Sequence, residues 1–548
     1  MSRSLLFKNL SRAIQIAHFC EDKKISTREG MERVAELEYQ TAKRNAGRRE
    51  FLANIGKLAV VGAIGSVAGP IRHVFAAPKK PSQSVSVGIV GSGLAGLACG
   101  DILKKNGINA TLYDANTRTG GRCFSLRNFF PGQVAERGGE FIDNLHKTML
   151  GYVQEFNLQV EDVEKNPPGE VFYFFNGQLF PESIVVDEYR DFVDAMRVDL
   201  RTIGFPTAEV HTDADALLDF TNLREYLETR GAGPVIFEAI EQAYIAEYGL
   251  EIERQSCVAF LLFIHADRRS KFRPFGVFSD ERYHVIGGNE QIVEGLTNKL
   301  PGQIQLGMKL VKARKNAGGQ VELTFKSNSR TIIKTHDAVV FAIPFSTLRE
   351  VELDASLGLP SRKLFAINEL QYGTNAKMMV GFGSRPWIDL GSKGSSYSDL
   401  SNHQATWETN PTKATSTQAI LTDYSGGNRG ANLNPSKVQT EAALFLNDFD
   451  IVYPGALSAA KRDSKGKFLV HLEHWPSNPL TNGSYTCNHP GYFTTIADNE
   501  ATPVGNLYFA GEHTSSFYEY QGFMEGAALS GIRAAGEILQ DIKIGALG

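Results

Sequence analysis

The feature that most constrains this chain is a glycine-rich turn between a short β-branched run and a helix, within residues 84–114. Its glycines have the spacing G-x-G-x-x-G, after residues 85–90 and before apolar residues at helical spacing. In such a turn, backbone N–H groups approach a pyrophosphate, and the positive end of the helix favours its negative charge. The pattern predicts a dinucleotide site that contains Gly91, Ser92, Gly93, Ala95 and Gly96.

A carboxylate follows at the end of the second predicted strand, residues 110–113. Asp114 lies eighteen residues after Gly96, about where an acid accepts hydrogen bonds from an adenosine ribose. An isolated G-x-G-x-x-G is weak evidence, because a glycine-rich structural turn can have the same letters. The strand before the turn, the helix after it and the spaced acid together favour dinucleotide binding.

Composition excludes several other classes of protein. With 548 residues, 42% hydrophobic and 22% charged, the chain is globular and long enough for two or more domains. A formal charge of -4 gives no sign of the basic surface that a nucleic-acid partner requires. The five cysteines form no CxxC pair and no metal-ligand spacing, so we expect free, mostly buried thiols and no metal site.

Residues 1–77 have the layout of an N-terminal extension that ends in a twin-arginine export signal. Arg48 and Arg49 precede Phe-Leu, an uncharged run at 58–69 and a small-residue site at 74–77. That run is too short to cross a bilayer core of about 30 Å as a helix, so no stable membrane span is expected. We expect a periplasmic or secreted protein; a surface helix with a chance Arg-Arg is the alternative. The long amphipathic stretch before the arginines is atypical and leaves cleavage open.

A second glycine motif follows the acid directly. Asp114 and Ala115 precede R-x-G-G-R, which ends in Gly121 and Arg122. This loop resembles that of the flavin-containing amine oxidase family, where it lies along the pyrophosphate and ribitol of FAD. Nicotinamide enzymes lack this extension, and an arginine here brings a fixed positive charge to a diphosphate. Asp114 stands where the family usually has Glu, one methylene longer.

Three further segments extend the resemblance within the cofactor site. Gly138, Gly139, Glu140 and Phe141 match the glycine pair that lies beside the isoalloxazine ring in the family. The strand at 309–311 matches one that contacts adenine through its backbone, which makes Val311 an expected FAD neighbour. Near the C-terminus, a strand ends in Ala-Gly-Glu and a glycine-rich helix start follows, which again places N–H groups at the flavin. The residues implied there are Gly511, Glu512, Gly522, Phe523 and Met524.

Three residues are implied as catalytic by the resemblance: Lys377, Tyr485 and Phe523. In the family, a lysine in the position of Lys377 reaches flavin N5 through a water and is tied to reoxidation by oxygen. The alternative is a lysine at a strand edge, with a packed stem and a solvated head. His513, beside Glu512, is expected to be a structural hydrogen-bonding residue rather than a catalytic one.

The segment from Trp475 to Tyr485 resembles the one that runs over the flavin and supplies one wall of an aromatic cage. Phe523 takes the second cage position, where many relatives have Tyr, and two opposed rings hold an amine against N5. Ordinary core packing is the alternative for both. Members with covalent flavin have a cysteine before that tyrosine; Ser484 cannot form a thioether, and Cys487 lies elsewhere. We therefore predict non-covalent FAD.

These motifs predict an α/β fold of two domains. The first is a Rossmann-like FAD-binding domain, and the second is a discontinuous substrate domain of mixed sheet and helices. A linker is expected at 78–83, the FAD-binding domain at 84–150, 281–345 and 476–542, and the substrate domain at 151–280 and 346–475. Gly, Asn and Ser are dense at 422–434, which predicts a surface loop there.

The resemblance implies an FAD-dependent oxidase of amines, in which the substrate α carbon gives hydride to flavin N5, water hydrolyses the imine and molecular oxygen becomes hydrogen peroxide. An L-amino-acid oxidase is the first alternative. Some such enzymes pair the substrate carboxylate with an arginine where this chain has Phe141, although an arginine from the substrate domain can substitute. An FAD-bound desaturase-like or non-oxidase protein is the second alternative, because it needs neither Lys377 nor the 475–485 segment. The oligomeric state stays open, with a homodimer among the arrangements.

Overall fold

A computed structural model describes residues 16–17, 20, 24–31, 85–163, 169–264, 281–411 and 418–547. The linker at 78–83 and the twin-arginine segment at 47–77 lie outside these residues. No helix within the described ranges has the length and apolar character needed to cross a bilayer.

A five-stranded parallel sheet forms the base of the half that is predicted to bind FAD. Its strands lie in the order Leu507–Phe509, Ala338–Phe341, Val87–Val90, Thr111–Tyr113 and Ile304–Gln305. The central strands are buried along their whole length, as expected for a parallel sheet covered on both faces. These strands come from all three segments assigned to the FAD-binding domain.

Two helices pack together on this sheet. The first helix, Leu94–Lys105, follows the glycine-rich turn, and the C-terminal helix, Met524–Ile544, contacts it along its length. A Cβ on Gly531 would lie 2.0 Å from the Ala95 carbonyl oxygen, so the helices approach each other at backbone distance. This packing joins the two ends of the folded chain into one unit.

A four-stranded sheet lies beside the parallel one, in the order Arg330–His336, Val321–Ser327, Lys309–Lys315 and Glu352–Leu353. Val321–Ser327 pairs antiparallel with both Lys309–Lys315 and Arg330–His336. Residues 304–315 form two strands rather than one, because Gly307 adopts a left-handed φ of 70° between Gln305 and Lys309.

The substrate half is built on a seven-stranded sheet. In spatial order its strands are Val470–His474, Ala376–Phe382, Ala419–Ser425, Ala405–Glu408, Ser392–Ser398, Glu170–Phe175 and Gln178–Phe180. The pairing of Ser392–Ser398 with Glu170–Phe175 is parallel, and the other pairings are antiparallel. The predicted α/β fold with a mixed-sheet substrate domain is confirmed.

The surface loop predicted at 422–434 is wrong. Ala419–Ser425 is a buried strand that pairs on both sides, and Gly427–Asn432 is a short helix. Polar side chains of this segment find partners there: Arg429 Nη2 donates to Asp423 Oδ2 at 2.8 Å, and the Thr422 hydroxyl lies 2.8 Å from that of Thr409. Composition alone does not show that neighbouring strands will supply such partners.

Helices cover the seven-stranded sheet and fill the space between the sheets. The longer ones are Lys147–Glu155, Glu182–Thr202, Asp213–Phe220, Leu223–Arg230, Pro234–Tyr248, Cys257–Ile264, Glu290–Asn298, Ser361–Glu369 and Val438–Val452. Single turns are Phe345–Leu348, Pro386–Asp389, Ala456–Ala459 and Tyr492–Thr495. Two-stranded ribbons pair Ser125–Leu126 with Ala135–Glu136, Val160–Asp162 with Tyr283–Val285, and Gln371–Tyr372 with Thr486–Cys487.

An N-terminal arm, residues 16–17, 20 and 24–31, packs on the substrate half. Ile16, Ala17 and Cys20 are buried in the same apolar cluster as the helix Glu182–Thr202. From that helix, Arg190 donates to the Thr27 hydroxyl at 2.9 Å. The described part of the N-terminal extension therefore belongs to the folded body of the protein.

Candidate active site

A cavity of about 370 Å³ lies where the three sheets meet. All predicted site residues except Ser92 and Gly96 line it. Those lining residues are Gly91, Gly93, Ala95, Asp114, Ala115, Gly121, Arg122, Gly138, Gly139, Glu140, Phe141, Val311, Lys377, Trp475, Tyr485, Gly511, Glu512, Gly522, Phe523 and Met524. Tertiary structure thus brings the dispersed motifs to one place.

The first glycine motif forms a backbone wall, and two of its three glycines have no room for a side chain. Gly91 has a φ of 107°, and a Cβ there would lie 2.5 Å from the Ala342 carbonyl oxygen. A Cβ on Gly96 would lie 2.0 Å from the Gly91 carbonyl oxygen, so this glycine closes the turn from behind. A Cβ on Gly93 would meet only one atom, at 4.0 Å, and its backbone is open to the cavity. This is the geometry that a pyrophosphate requires.

Ser92 acts on the cavity through Asp114. Its backbone N–H and its hydroxyl both donate to Asp114 Oδ2 at 2.7 Å. The backbone N–H of Asn116 donates to the other oxygen, Oδ1, at 2.8 Å. These bonds fix the carboxylate at the cavity edge, where it can accept a hydrogen bond from a ribose hydroxyl.

The N-terminal and C-terminal motifs meet in an ion pair. Arg122 Nη1 donates to Glu512 Oε1 at 2.9 Å and to the Ser484 carbonyl oxygen at 2.7 Å. Thr486 donates to Glu512 Oε2 at 3.0 Å. The buried Glu512 therefore holds the arginine side chain against the segment that contains Tyr485.

The glycine pair also sits at backbone contact distance. A Cβ on Gly138 would lie 1.7 Å from the Arg122 carbonyl oxygen, and one on Gly139 would lie 2.7 Å from Met524 Cγ. Trp475 Nε1 donates to the Arg137 carbonyl oxygen at 2.9 Å. Only glycines allow the loop, the C-terminal helix start and the tryptophan to converge here.

Lys377 is buried, and its ammonium has protein acceptors. Nζ donates to Glu140 Oε2 at 2.7 Å, to the Gly138 carbonyl oxygen at 2.9 Å and to that of Glu136 at 3.4 Å. The alternative of a strand-edge lysine with a solvated head is wrong, because its strand has neighbours on both sides. The lysine is instead part of the cavity wall.

Two aromatic residues of this wall were missed by sequence reasoning. Trp407 Nε1 donates to Glu140 Oε1 at 3.1 Å, and its ring packs edge-on to Tyr424 with centroids 5.3 Å apart. The Tyr424 hydroxyl lies 2.6 Å from that of Tyr485. Tyr424 falls in the segment predicted as a loop, and Trp407 lies in a four-residue strand without a motif, so no local signal pointed to either.

The two predicted cage residues both line the cavity. The Tyr485 hydroxyl donates to the Glu247 carbonyl oxygen at 2.6 Å, which fixes the ring. Phe523 is buried, and its ring packs edge-on against His146 with centroids 5.2 Å apart. Burial lowers the pKa of His146 to about 4, so this ring is neutral at physiological pH.

A second buried carboxyl group lies behind the lysine. Glu136 Oε2 accepts from the Ser125 hydroxyl at 2.9 Å, and Oε1 accepts from the backbone N–H of Asn289 at 2.8 Å. Burial raises the pKa of Glu136 to about 8, and the nearby Glu140 acts in the same direction. Glu136 is therefore mostly protonated at neutral pH.

His513 does not line the cavity, in keeping with a structural role. The expected hydrogen bonds are absent, however: within the described ranges, neither ring nitrogen has a partner. The ring instead packs edge-on against Phe345, with centroids 4.4 Å apart. Burial and the positive charges of Arg122 and Lys363 hold the pKa of His513 well below its usual value.

All five cysteines are buried, and none of them forms a disulfide in the described part of the chain. In the part of the chain that the structure describes, no group of three or more His, Cys, Asp or Glu side chains is arranged to hold a metal ion. The glycine walls, Asp114 and Arg122 instead provide the donor set and close backbone approach that suit FAD.

Comparison with known proteins identifies the family. The family described as flavin containing amine oxidoreductase matches residues 94–539. An L-amino-acid oxidase of Naja atra is 21% identical over 476 residues, which cover 84% of this chain and 89% of the relative. The structure of cyclohexylamine oxidase from Brevibacterium oxydans IH-35A aligns with a TM-score of 0.70 and 19% identity over 84% of this chain and 100% of that one. Putrescine oxidase bound to putrescine aligns with a TM-score of 0.68 and 18% identity, over 83% and 99%. The chain belongs to the flavin containing amine oxidoreductase family.

Proposed function

We propose that this flavoprotein is an amine oxidase whose substrates are amines without a carboxylate beside the reacting carbon. When bound, FAD would supply the redox chemistry, which is acceptance of hydride from the substrate α carbon and reduction of oxygen to hydrogen peroxide. The imine product is hydrolysed in water. The protein supplies binding, orientation and exclusion of competing reactions.

The observation that supports this choice is the charge of the cavity wall. Among the described lining residues, the cations are Arg118, Arg122, Lys309 and Lys377. Arg118 and Arg122 belong to the predicted pyrophosphate loop, and Lys309 lies on the predicted adenine strand. Lys377 is paired with Glu140. No arginine from the described part of the substrate domain lines the cavity to receive a carboxylate.

The side-chain wall suits an apolar amine. Trp407, Tyr424 and Tyr485 form a continuous chain of ring and hydroxyl contacts, and Phe523 is a further aromatic lining residue. Aromatic surface excludes water and orients a substrate carbon without requiring a polar partner. In this arrangement, Lys377 is the group positioned to hold or move a proton near the reacting atoms.

We propose that FAD is held without a covalent bond. Ser484 is buried, and its hydroxyl donates to Asn375 Oδ1 at 2.5 Å. Cys487 is buried in the ribbon with Gln371–Tyr372 and does not line the cavity. Acid precipitation should therefore release all of the yellow colour into the supernatant; flavin that stays with the protein pellet would contradict this.

The experiment that tests the function is a peroxide-coupled assay on the purified yellow protein. Phenethylamine and L-phenylalanine differ only in the carboxylate, so they form a matched pair. We expect peroxide from the amine and much less from the amino acid. The reverse preference would establish the second candidate, an L-amino-acid oxidase, which is the activity named for the Naja atra relative.

We propose that the protein is exported by the twin-arginine pathway, on the basis of Arg48, Arg49 and the short apolar run after them. A protein that folds around its cofactor before crossing needs a route for folded cargo. Replacing both arginines with lysine should leave the enzyme in the cytoplasm. An unchanged distribution between cytoplasm and periplasm would contradict export by this route.

A further inference from the structure

We propose that Glu140 is a specificity-determining residue that neutralises Lys377 and so excludes carboxylate-bearing substrates from the cavity. The inference rests on the proposed function and deepens it. It assigns the preference for plain amines to one carboxylate, and not only to the lack of a substrate-domain arginine among the described lining residues.

The first step is the pairing itself. Both oxygens of Glu140 are engaged, one by Lys377 Nζ at 2.7 Å and the other by Trp407 Nε1 at 3.1 Å. The two charged side chains are almost fully buried, with exposed fractions of 4% and 7%. In a site of low dielectric constant, a pair at this distance cancels most of the field of each member.

The second step is what a substrate carboxylate would meet. Glu140 and Lys377 both line the cavity, so a bound carboxylate would meet a lysine that already has its counter-ion. A carboxylate that leaves water without gaining a cation as partner pays a large desolvation cost. Without Glu140, Lys377 would keep carbonyl partners only, and a buried cation without a counter-ion is strongly unfavourable. A ligand carboxylate would then be its natural partner.

The third step is a second carboxylate, on the same seven-stranded sheet as Lys377, that has the same two kinds of partner as Glu140. Glu408 also binds a cation and an indole: Arg385 Nε donates to Oε1 at 2.7 Å, and Trp387 Nε1 donates to Oε2 at 3.1 Å. Glu408 is as buried as Glu140, but it does not line the cavity. The pair Glu408–Arg385 can therefore contribute to stability but not to ligand binding in the cavity. It supplies a control for the loss of a buried ion pair.

The position of Glu140 is fixed by the backbone before it. Gly138 and Gly139 have no room for a Cβ, and Asn289 Nδ2 donates to the Glu140 carbonyl oxygen at 2.7 Å. The residue therefore has little freedom to turn its carboxylate away from Lys377. The glycines that place Glu140 at the end of this loop also contribute to the backbone wall of the cavity.

The test compares Glu140→Gln, Glu408→Gln and the double variant Glu140→Gln with Lys377→Met. Equilibrium binding of benzoate and of α,α-dimethylbenzylamine, an amine that has no α C–H to give up, is followed by the change in flavin absorbance. The value of kcat/KM is measured for phenethylamine and L-phenylalanine. In E140Q, we expect benzoate to bind about tenfold more tightly and the amine-to-amino-acid ratio of kcat/KM to fall by about tenfold. E408Q should lower Tm and leave both the benzoate affinity and the amine-to-amino-acid ratio of kcat/KM unchanged.

The double variant shows whether any gain in benzoate affinity depends on Lys377. Tighter benzoate binding that disappears when Lys377 is also replaced supports the inference. Unchanged benzoate binding in E140Q, or an equal gain in the double variant or in E408Q, would overturn it. If E140Q does not retain flavin, Lys377→Met alone supplies the reverse test. An unpaired Glu140 should weaken the binding of benzoate and strengthen that of α,α-dimethylbenzylamine, and the opposite result would overturn the inference.

Failure of the proposed function has a different signature. A wild-type enzyme that oxidises L-phenylalanine but not phenethylamine refutes that function directly. A wild-type enzyme that prefers the amine, with no shift in E140Q, leaves the function intact and removes only the role assigned to Glu140.

Discussion

The two walls of the cavity are built in different ways. One is a backbone wall lined by Gly91 and Gly138 and supported from behind by Gly96, and none of these three glycines has room for a side chain. The other is a side-chain wall, in which Lys377, Trp407 and their partner Glu140 form a polar and aromatic network. A backbone wall depends on steric fit at single positions, whereas a side-chain wall depends on pairs of residues that are distant in sequence. The two walls should therefore respond differently to substitution.

The largest effect is expected from Gly96→Ala, which breaks the backbone wall. Its Cβ would lie 2.0 Å from the Gly91 carbonyl oxygen, and backbone cannot move aside as a side chain can. We expect a cost of about 3 kcal/mol and a loss of flavin affinity of roughly a hundredfold. The ratio of flavin to protein absorbance measures it. Gly536→Ala is the control, because a Cβ there meets nothing within 4 Å; equal flavin content in both variants would contradict the steric argument.

The next effect is expected from Lys377→Met, which breaks the side-chain wall. Flavin binding should persist, because the backbone wall is intact, while flavin reoxidation by oxygen slows by roughly a hundredfold. Stopped-flow mixing of the reduced enzyme with oxygen measures it. Lys312→Met, which removes a lysine from an exposed ion pair with Glu352, should reoxidise like wild type. Unchanged reoxidation in K377M would instead favour the desaturase-like alternative.

A third effect concerns pH and the carboxyl group behind Lys377. Because burial raises the pKa of Glu136 to about 8, its stabilising contribution is complete below the unfolded value near 4.5 and is lost as pH rises toward 8. The wild-type Tm should fall by several degrees between pH 5 and pH 8.5. Glu136→Gln keeps the shape without the titration, so its Tm should fall less. Parallel curves for the two proteins would show that Glu136 does not titrate in this range.

A smaller effect is expected from Tyr485→Phe, which keeps the ring and removes its hydroxyl. The Glu247 carbonyl oxygen and the Tyr424 hydroxyl each lose a partner. We expect kcat/KM for an amine to fall about fivefold, as for the loss of about 1 kcal/mol of hydrogen bonding. Steady-state kinetics measure this. A loss as large as that in K377M would mean that the hydroxyl, and not the ring, is the working part of the cage.

The smallest effect on activity is expected far from both walls, at the N-terminal arm. Arg190→Ala removes hydrogen bonds to the Thr27 hydroxyl and to the Ile25 carbonyl oxygen. We expect a loss of about 1 kcal/mol in the attachment of the arm, faster proteolysis near residue 30 and unchanged kcat/KM. Limited proteolysis followed by mass spectrometry measures it. A change in amine specificity would show that the arm communicates with the cavity.

The sequence by itself determined the backbone wall. The glycines of residues 91–96, the acid at Asp114 and the pair Gly138–Gly139 each act over a few residues, because strand, turn and helix propensities and the lack of a Cβ are local properties. Local patterns also predicted the α/β fold class, and the family to which the chain belongs was identified from the motifs that resemble it.

The side-chain wall was decided only by the tertiary structure. Trp407 and Tyr424 lie in strands without a motif, and the polar composition at 422–434 predicted a loop where there is a buried strand. The pair Lys377–Glu140 joins residues 237 positions apart. Whether a buried polar group finds a partner depends on which strands become neighbours, and that choice is made by the packing of the whole sheet rather than by any short stretch of sequence.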